Sequence, residues 1–152
     1  MRAAAIVDVD TAARLRVAVG RLSRRLRDTA AGSEAGMTPT RISVLLTVNR
    51  DGPIRLSELA AAESLNPTML SRIVSGLVEQ GLLERNSDAD DRRAAWVNAT
   101  LAGRRLAKHI RGERTDAINA ALEGLSVEQR GCLERALPAL EALSEQLRRP
   151  TR

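Results

Sequence analysis

Apolar positions recur at helical spacing along most of this chain. Leu15, Val19, Leu22 and Leu26 follow a 4-3-4 rhythm across residues 10–30, which predicts an amphipathic helix closed by Gly32 and Ser33. Thr38-Pro39 is a cap-then-proline start, and Ile42, Leu45 and Leu46 carry the helix it opens as far as Asp51-Gly52-Pro53. Ile54-Arg55-Leu56 predicts a short extended piece. A short helix over 58–63, capped by Ser57, then leads through the tight turn Ser64-Leu65 into a second cap-then-proline start, Asn66-Pro67. The helix from Pro67 runs to Gln80, where Gly81 followed by apolar Leu82 predicts a Schellman stop. Residues 82–86 and 94–99 read as two strands around the polar turn SDADDR, a β-hairpin. Thr100 caps a long helix to about Leu122 that carries Leu106 and Ile110. Gly124 breaks it, and Ser126 with Gln129 forms the capping box of a last helix. That helix bears the stripe Leu133, Leu137, Leu140, Leu143 and Leu147, and Pro138 inside it predicts a kink or a restart.

The fold class that follows is mostly α with a small β-hairpin. Composition agrees, since 43% of the 152 residues are hydrophobic and Ala, Leu and Val dominate, with no Phe or Tyr and Trp96 alone. Such a core favours helices. The net charge of +5 favours a nucleic-acid partner only weakly, because residues 51–100 carry five Arg against eight acids. Any DNA contact in that third depends on placement rather than on total charge. Arg supplies 23 of the 24 basic residues, as a GC-rich genome would. The single Cys132 permits no internal disulfide and fits a reducing compartment. No apolar run approaches a membrane span, and the acids in MRAAAIVDVD do not suit a signal peptide, so a cytoplasmic location is expected. One His109 and one Cys offer no metal cluster, no Ser-His-Asp arrangement is recognisable, and no glycine-rich phosphate loop appears. Neither a cofactor nor an enzyme activity is expected.

The helix opened by Asn66 and Pro67 is unusual in its polar face. Leu70, Ile73, Val74, Leu77 and Val78 form its apolar side, opposite Thr68, Ser71, Arg72 and Ser75, with no carboxylate before Glu79. Short hydroxyl side chains let a helix approach the floor of a major groove, and Arg can bind guanine through two hydrogen bonds. Taken alone, the same face also suits an amphipathic helix with a Ser-rich surface. Its setting adds weight: a short helix and a three-residue turn precede it, as in a helix-turn-helix, and a hairpin follows. The hairpin tip places Arg92 and Arg93 beside Asp88, Asp90 and Asp91. That composition fits a solvated turn. It also fits a wing whose Arg enters a narrow minor groove while an Asp orients the guanidinium.

The stretch DRRAAWVNATLAG, Asp91 to Gly103, resembles the wing and following helix start of MarR-family regulators, where D-x-R, a strand and L-T-x-x-G recur. The upstream segment LSELAAAESLNPTMLSRIVSGLVEQGLLERNSDADDRR looks like the helix-turn-helix and wing of the same family, and the likeness extends over about residues 10–148. The chain departs from the pattern at Ala99, where a larger aliphatic residue is usual, and at the bulky Trp96. The resemblance implies a winged helix-turn-helix over residues 37–100, with dimerisation helices at 1–36 and 101–152. It implies a homodimer on pseudo-palindromic double-stranded DNA, often a repressor released by a small-molecule effector, with no membrane partner. The recognition helix would be Pro67–Gln80, the minor-groove arginine Arg93, and its orienting acid Asp91. An effector pocket would lie near the junction of helices 10–30, 38–51 and 100–122. Cys132 is far in sequence from the N-terminal cysteine of peroxide-sensing relatives, so a packing role is expected. Two other readings stay open: a winged-helix module for protein interaction, and a constitutive DNA-architecture protein without an effector.

Overall fold

The computed structural model describes residues 9–27, 30–87 and 95–148. The chain order is α1 (Val9–Arg25), α2 (Ala30–Glu34), α3 (Pro39–Asp51), β1 (Ile54–Arg55), α4 (Leu56–Glu63), α5 (Pro67–Glu79), β2 (Leu83–Ser87), β3 (Ala95–Ala99), α6 (Leu101–Glu123) and α7 (Val127–Arg148).

Local chemistry accounts for most of the boundaries. The Thr38 hydroxyl accepts from Arg41 N at 3.4 Å, Asn66 Oδ1 from Met69 N at 2.8 Å, and Thr100 Oγ1 from Gly103 N at 3.0 Å. Each satisfies a backbone donor that the first helical turn leaves without a partner. Ser126 and Gln129 cap each other's backbone N–H at 2.9 and 3.1 Å, as the capping box predicts. α5 ends in a Schellman motif: Gly81 N donates to Val78 O and Leu82 N to Leu77 O, with Gly81 at φ 68°.

Several expectations need correction. α1 stops at Arg25, and a separate helix, α2, occupies Ala30–Glu34, so Gly32 and Ser33 lie inside a helix instead of closing one. Gly32 is buried, and α2 packs on α6. The stop itself falls at Gly36, with φ 63°, where Gly36 N donates to Ser33 O and Met37 N to Gly32 O. α4 starts at Leu56, before the expected Ser57 cap, because the Glu58 carboxylate accepts from Arg55 N at 3.2 Å. The sheet has three strands in the order β1-β3-β2, since Ile54 and Arg55 pair antiparallel with Val97 and Trp96 and extend the hairpin. α7 runs through Pro138 without a restart. The Glu134 residue one turn back is exposed, so water can satisfy the carbonyl that the proline leaves without a donor.

The core lies between α3, α4, α5, the sheet and the first half of α6. Val44, Leu45, Leu59, Leu70, Val74, Leu77, Val97 and Ile110 are fully enclosed there. Thr47, the polar member of that core among the described residues, donates to the half-buried Glu63 carboxylate at 2.5 Å and ties α3 to α4. Among the described residues, none of α1 or α7 belongs to this core.

Candidate nucleic-acid interface

α5 sits on the core by the apolar side read from its sequence. Leu70, Val74 and Leu77 are buried, while Ile73 and Val78 pack against the core from its edge. That seating turns Thr68 and Arg72 outward and exposed, with Ser71 and Ser75 half-buried along the shoulder of the helix. Asn66 and Pro67 are exposed at its start. The Asn66 side-chain oxygen is committed to the cap, which leaves its amide N–H groups for a ligand. Asn66→Ala is expected to lower stability by about 1 kcal/mol through loss of this cap, seen as a small fall in the melting temperature.

Two further arginines, missed by reading α5 alone, lie along the edges of the helix. Arg85 on β2 donates from Nη2 to both the Ser71 carbonyl and Ser71 Oγ at 3.3 Å. With Arg85 donating to its oxygen, the Ser71 hydroxyl keeps its own hydrogen available to donate. On the other edge, the Arg41 guanidinium of α3 lies against Gly76, in the space that a β-carbon there would fill. The alternation of β2 could have flagged Arg85: Leu83 and Arg85 share a face, opposite Ala99 and Val97, and the face that buries Leu83 brings Arg85 to α5. Nothing in the local sequence indicates Arg41, since its approach depends on a missing side chain 35 positions away. Met69 is also exposed, at 45%, and supplies an apolar surface beside Thr68 and Arg72 of the kind that meets a thymine methyl group.

The sheet presents the base of the wing. Trp96 is half-buried on the face away from the core, with the Arg55 guanidinium 5.0 Å from its ring centroid. Ala99 is buried, and its carbonyl accepts from Arg104 Nη1. The wing residues singled out from sequence, Asp91, Arg92 and Arg93, lie outside the described residues.

A tight joint links α5 to α6. Thr100 Oγ1 donates to the Gly81 carbonyl at 2.7 Å and lies 3.1 Å from the Leu82 carbonyl, which also accepts from Thr100 N at 3.1 Å. Gly103 is buried against the same Leu82 carbonyl. Further along α6, the Asn49 side-chain oxygen accepts from Arg111 at 3.1 and 2.7 Å. One turn on, burial lowers the pKa of Arg114, whose Nε is enclosed without a hydrogen-bond partner. Cys132 is exposed on α7, where Arg135 Nη2 approaches its sulfur at 3.3 Å, so it is not the packed residue expected.

Among the described residues no group of three or more His, Cys, Asp or Glu could hold a metal ion, and no helix is long and apolar enough to cross a membrane.

A helix-turn-helix whose second helix shows an acid-poor, hydroxyl-rich face, followed directly by a β-hairpin, defines a winged-helix DNA-binding protein. The MarR family model matches residues 37–95, which span that unit. The uncharacterised HTH-type transcriptional regulator Mb0904 of Mycobacterium bovis is 28% identical over 139 residues, 91% of this chain and 96% of that one. A Pseudomonas aeruginosa structure named as a transcriptional regulator is 32% identical, with 90% of this chain and 95% of that chain covered and a TM-score of 0.73. CouR from Rhodococcus jostii, crystallised with p-coumaroyl-CoA, shares the fold at 23% identity and TM-score 0.71, covering 95% of both chains. The chain belongs to the MarR family of winged helix-turn-helix transcriptional regulators.

Proposed function

We propose that this regulator binds a pseudo-palindromic duplex as a homodimer, with α5 of each protomer in a major groove, and that it represses transcription until a small molecule releases it. The observation that carries the reading is the outward face of α5, where Thr68 and Arg72 are exposed with no carboxylate in the helix before Glu79, and where the Ser71 oxygen accepts from Arg85. Arg72, Ser71, Ser75 and Thr68 meet base edges, while Asn66 and Pro67 set the helix start against the backbone. Arg41 and Arg85, at the two edges of the helix, face phosphates. Arg92 and Arg93 of the wing reach the adjacent minor groove, with Asp91 orienting Arg93. In this reading residues 37–100 bind DNA, and 1–36 with 101–152 join the protomers.

Dimerisation is supported by the apolar surface that the monomer leaves in water. Val19 and Leu22 of α1 and Leu133, Leu137 and Leu147 of α7 are 45–78% exposed, on helices that contribute nothing to the core. The relative CouR was crystallised with an acyl-CoA ligand.

Selection of the protein against random duplexes at near-physiological salt tests the reading. The expected result is an inverted repeat with half-sites about one helical turn apart, and a sedimenting species of twice 16.4 kDa. Weak, salt-sensitive binding to every duplex would point instead to an architectural role. A monomer that binds no DNA would leave the protein-interaction reading.

A further inference from the structure

Two charged rows on the terminal helices match each other. At about 100° per residue, positions i, i+7 and i+11 fall on one line along a helix. On α1 that line holds Arg14, Arg21 and Arg25, all exposed, preceded one turn earlier by Asp10, which pairs with Arg14 at 3.9 Å. On α7 the line holds Glu134, Glu141 and Glu145, also exposed, preceded one turn earlier by Arg130. The spacing is the same and the sign is reversed, so all four positions oppose opposite charges if the helices lie parallel, and the inner two, Arg14 and Arg21 with Glu134 and Glu141, do so in either direction. Each row borders an apolar stripe that nothing in the chain covers fully: Val19 and Leu22 on α1, Leu133, Leu137, Leu140 and Leu143 on α7. Glu134 and Glu141 make no ion pair among the described residues, while Glu145 also lies within electrostatic reach of Arg50.

We propose that the arginine row of α1 in one protomer lies against the glutamate row of α7 in its partner, so that charge selects a second copy of this chain. The proposal rests on the dimer reading above and adds to it a rule for choosing partners. Single exposed ion pairs contribute little to stability. Their main effect here is exclusion, because a chain with a different charge order would set like charges side by side, which costs far more than a good pair gains. The two-fold symmetry of a dimer forms the contact twice, once on each side.

A charge swap tests this. One full-length variant carries Arg14→Glu and Arg21→Glu, and the other carries Glu134→Arg and Glu141→Arg. Each variant alone sets like charges together on both sides of its own dimer. Mixed, the two restore opposite charges on both sides. Sedimentation and native mass spectrometry of differently tagged chains read the outcome, with circular dichroism checking that helix content is kept. Expected are a homodimer dissociation constant raised at least about tenfold for each variant alone, and a mixture in which the heterodimer returns to within about threefold of the wild type. Variants that self-associate like the wild type, or a mixture that restores nothing, overturn the proposal while the wild-type dimer stands. A wild-type monomer overturns the dimer reading itself, and the proposal with it.

Discussion

Arg72→Ala is expected to weaken binding to the selected operator by about 1–3 kcal/mol, a factor of roughly 5–150, and to relax the base preference at one position in each half-site. Arg72 stands exposed on the outward line of α5, and its fork can take two acceptors on one guanine. Arg85→Ala should behave differently. Arg85 sits at the edge of α5 and grips Ser71, so its loss should weaken binding to all duplexes alike and reduce the salt slope by about one. It should also free Ser71 to act as donor or acceptor, which broadens whatever that hydroxyl reads. Competition with single-base operator variants and titration in KCl separate the two effects. If Arg72→Ala leaves the base preference unchanged, α5 does not read bases through this residue.

Gly103→Ala is expected to cost about 3 kcal/mol of folding stability, the upper end of overpacking costs. For a chain of this length each kcal/mol corresponds to about 2–4 °C in melting temperature. A β-carbon at this position would be driven into the Leu82 carbonyl oxygen, with the Leu45 side chain at 3.4 Å behind it. Neither neighbour can move easily, because Leu45 is fully buried and the carbonyl already accepts from Thr100 N. Gly112→Ala in the same helix provides the contrast. Nothing lies within 4 Å of the β-carbon it would add, so the change should stabilise the chain by about 0.4–1 kcal/mol through the unfolded state. Thermal unfolding of the pair distinguishes a close-packed joint from a general effect of glycine in helices.

The sequence exposed those parts of the structure whose causes are local. Caps at Thr38, Asn66, Thr100 and Ser126 and the stop at Gly81 each depend on side chains within three or four positions, and all appear where the sequence places them. The buried side of α5 follows from helical periodicity alone. Features set by contacts across the chain were not legible. β1 is only two residues long and exists because β3 has a free edge, which no window around Ile54 reveals. α2 has only five residues and depends on packing against α6, far away in the sequence. The same division runs through the candidate interface. Thr68, Ser71, Arg72 and Ser75 could be named from one helix, whereas Arg41 and Arg85 reach that helix from α3 and β2.

The joint between Leu82, Thr100 and Gly103 also has a mechanical consequence. Gly103 and the Leu82 carbonyl are in direct contact, and the side chains around them, Thr100 hydrogen-bonded and Leu45 fully buried, have little freedom to change rotamer and absorb a displacement. α6 spans 23 residues, roughly 35 Å at about 1.5 Å per residue, so it acts as a rigid arm whose near end is fixed to the end of α5. A tilt of that arm by about 6° shifts one end by about 3–4 Å relative to the other. In a dimer the two arms would swing in opposite senses, so the distance between the two DNA-reading helices would change by about twice that amount, roughly two base-pair steps at about 3.4 Å each. In the proposed dimer, the register between two half-sites would therefore be held by the stiffness of a single long helix on each side.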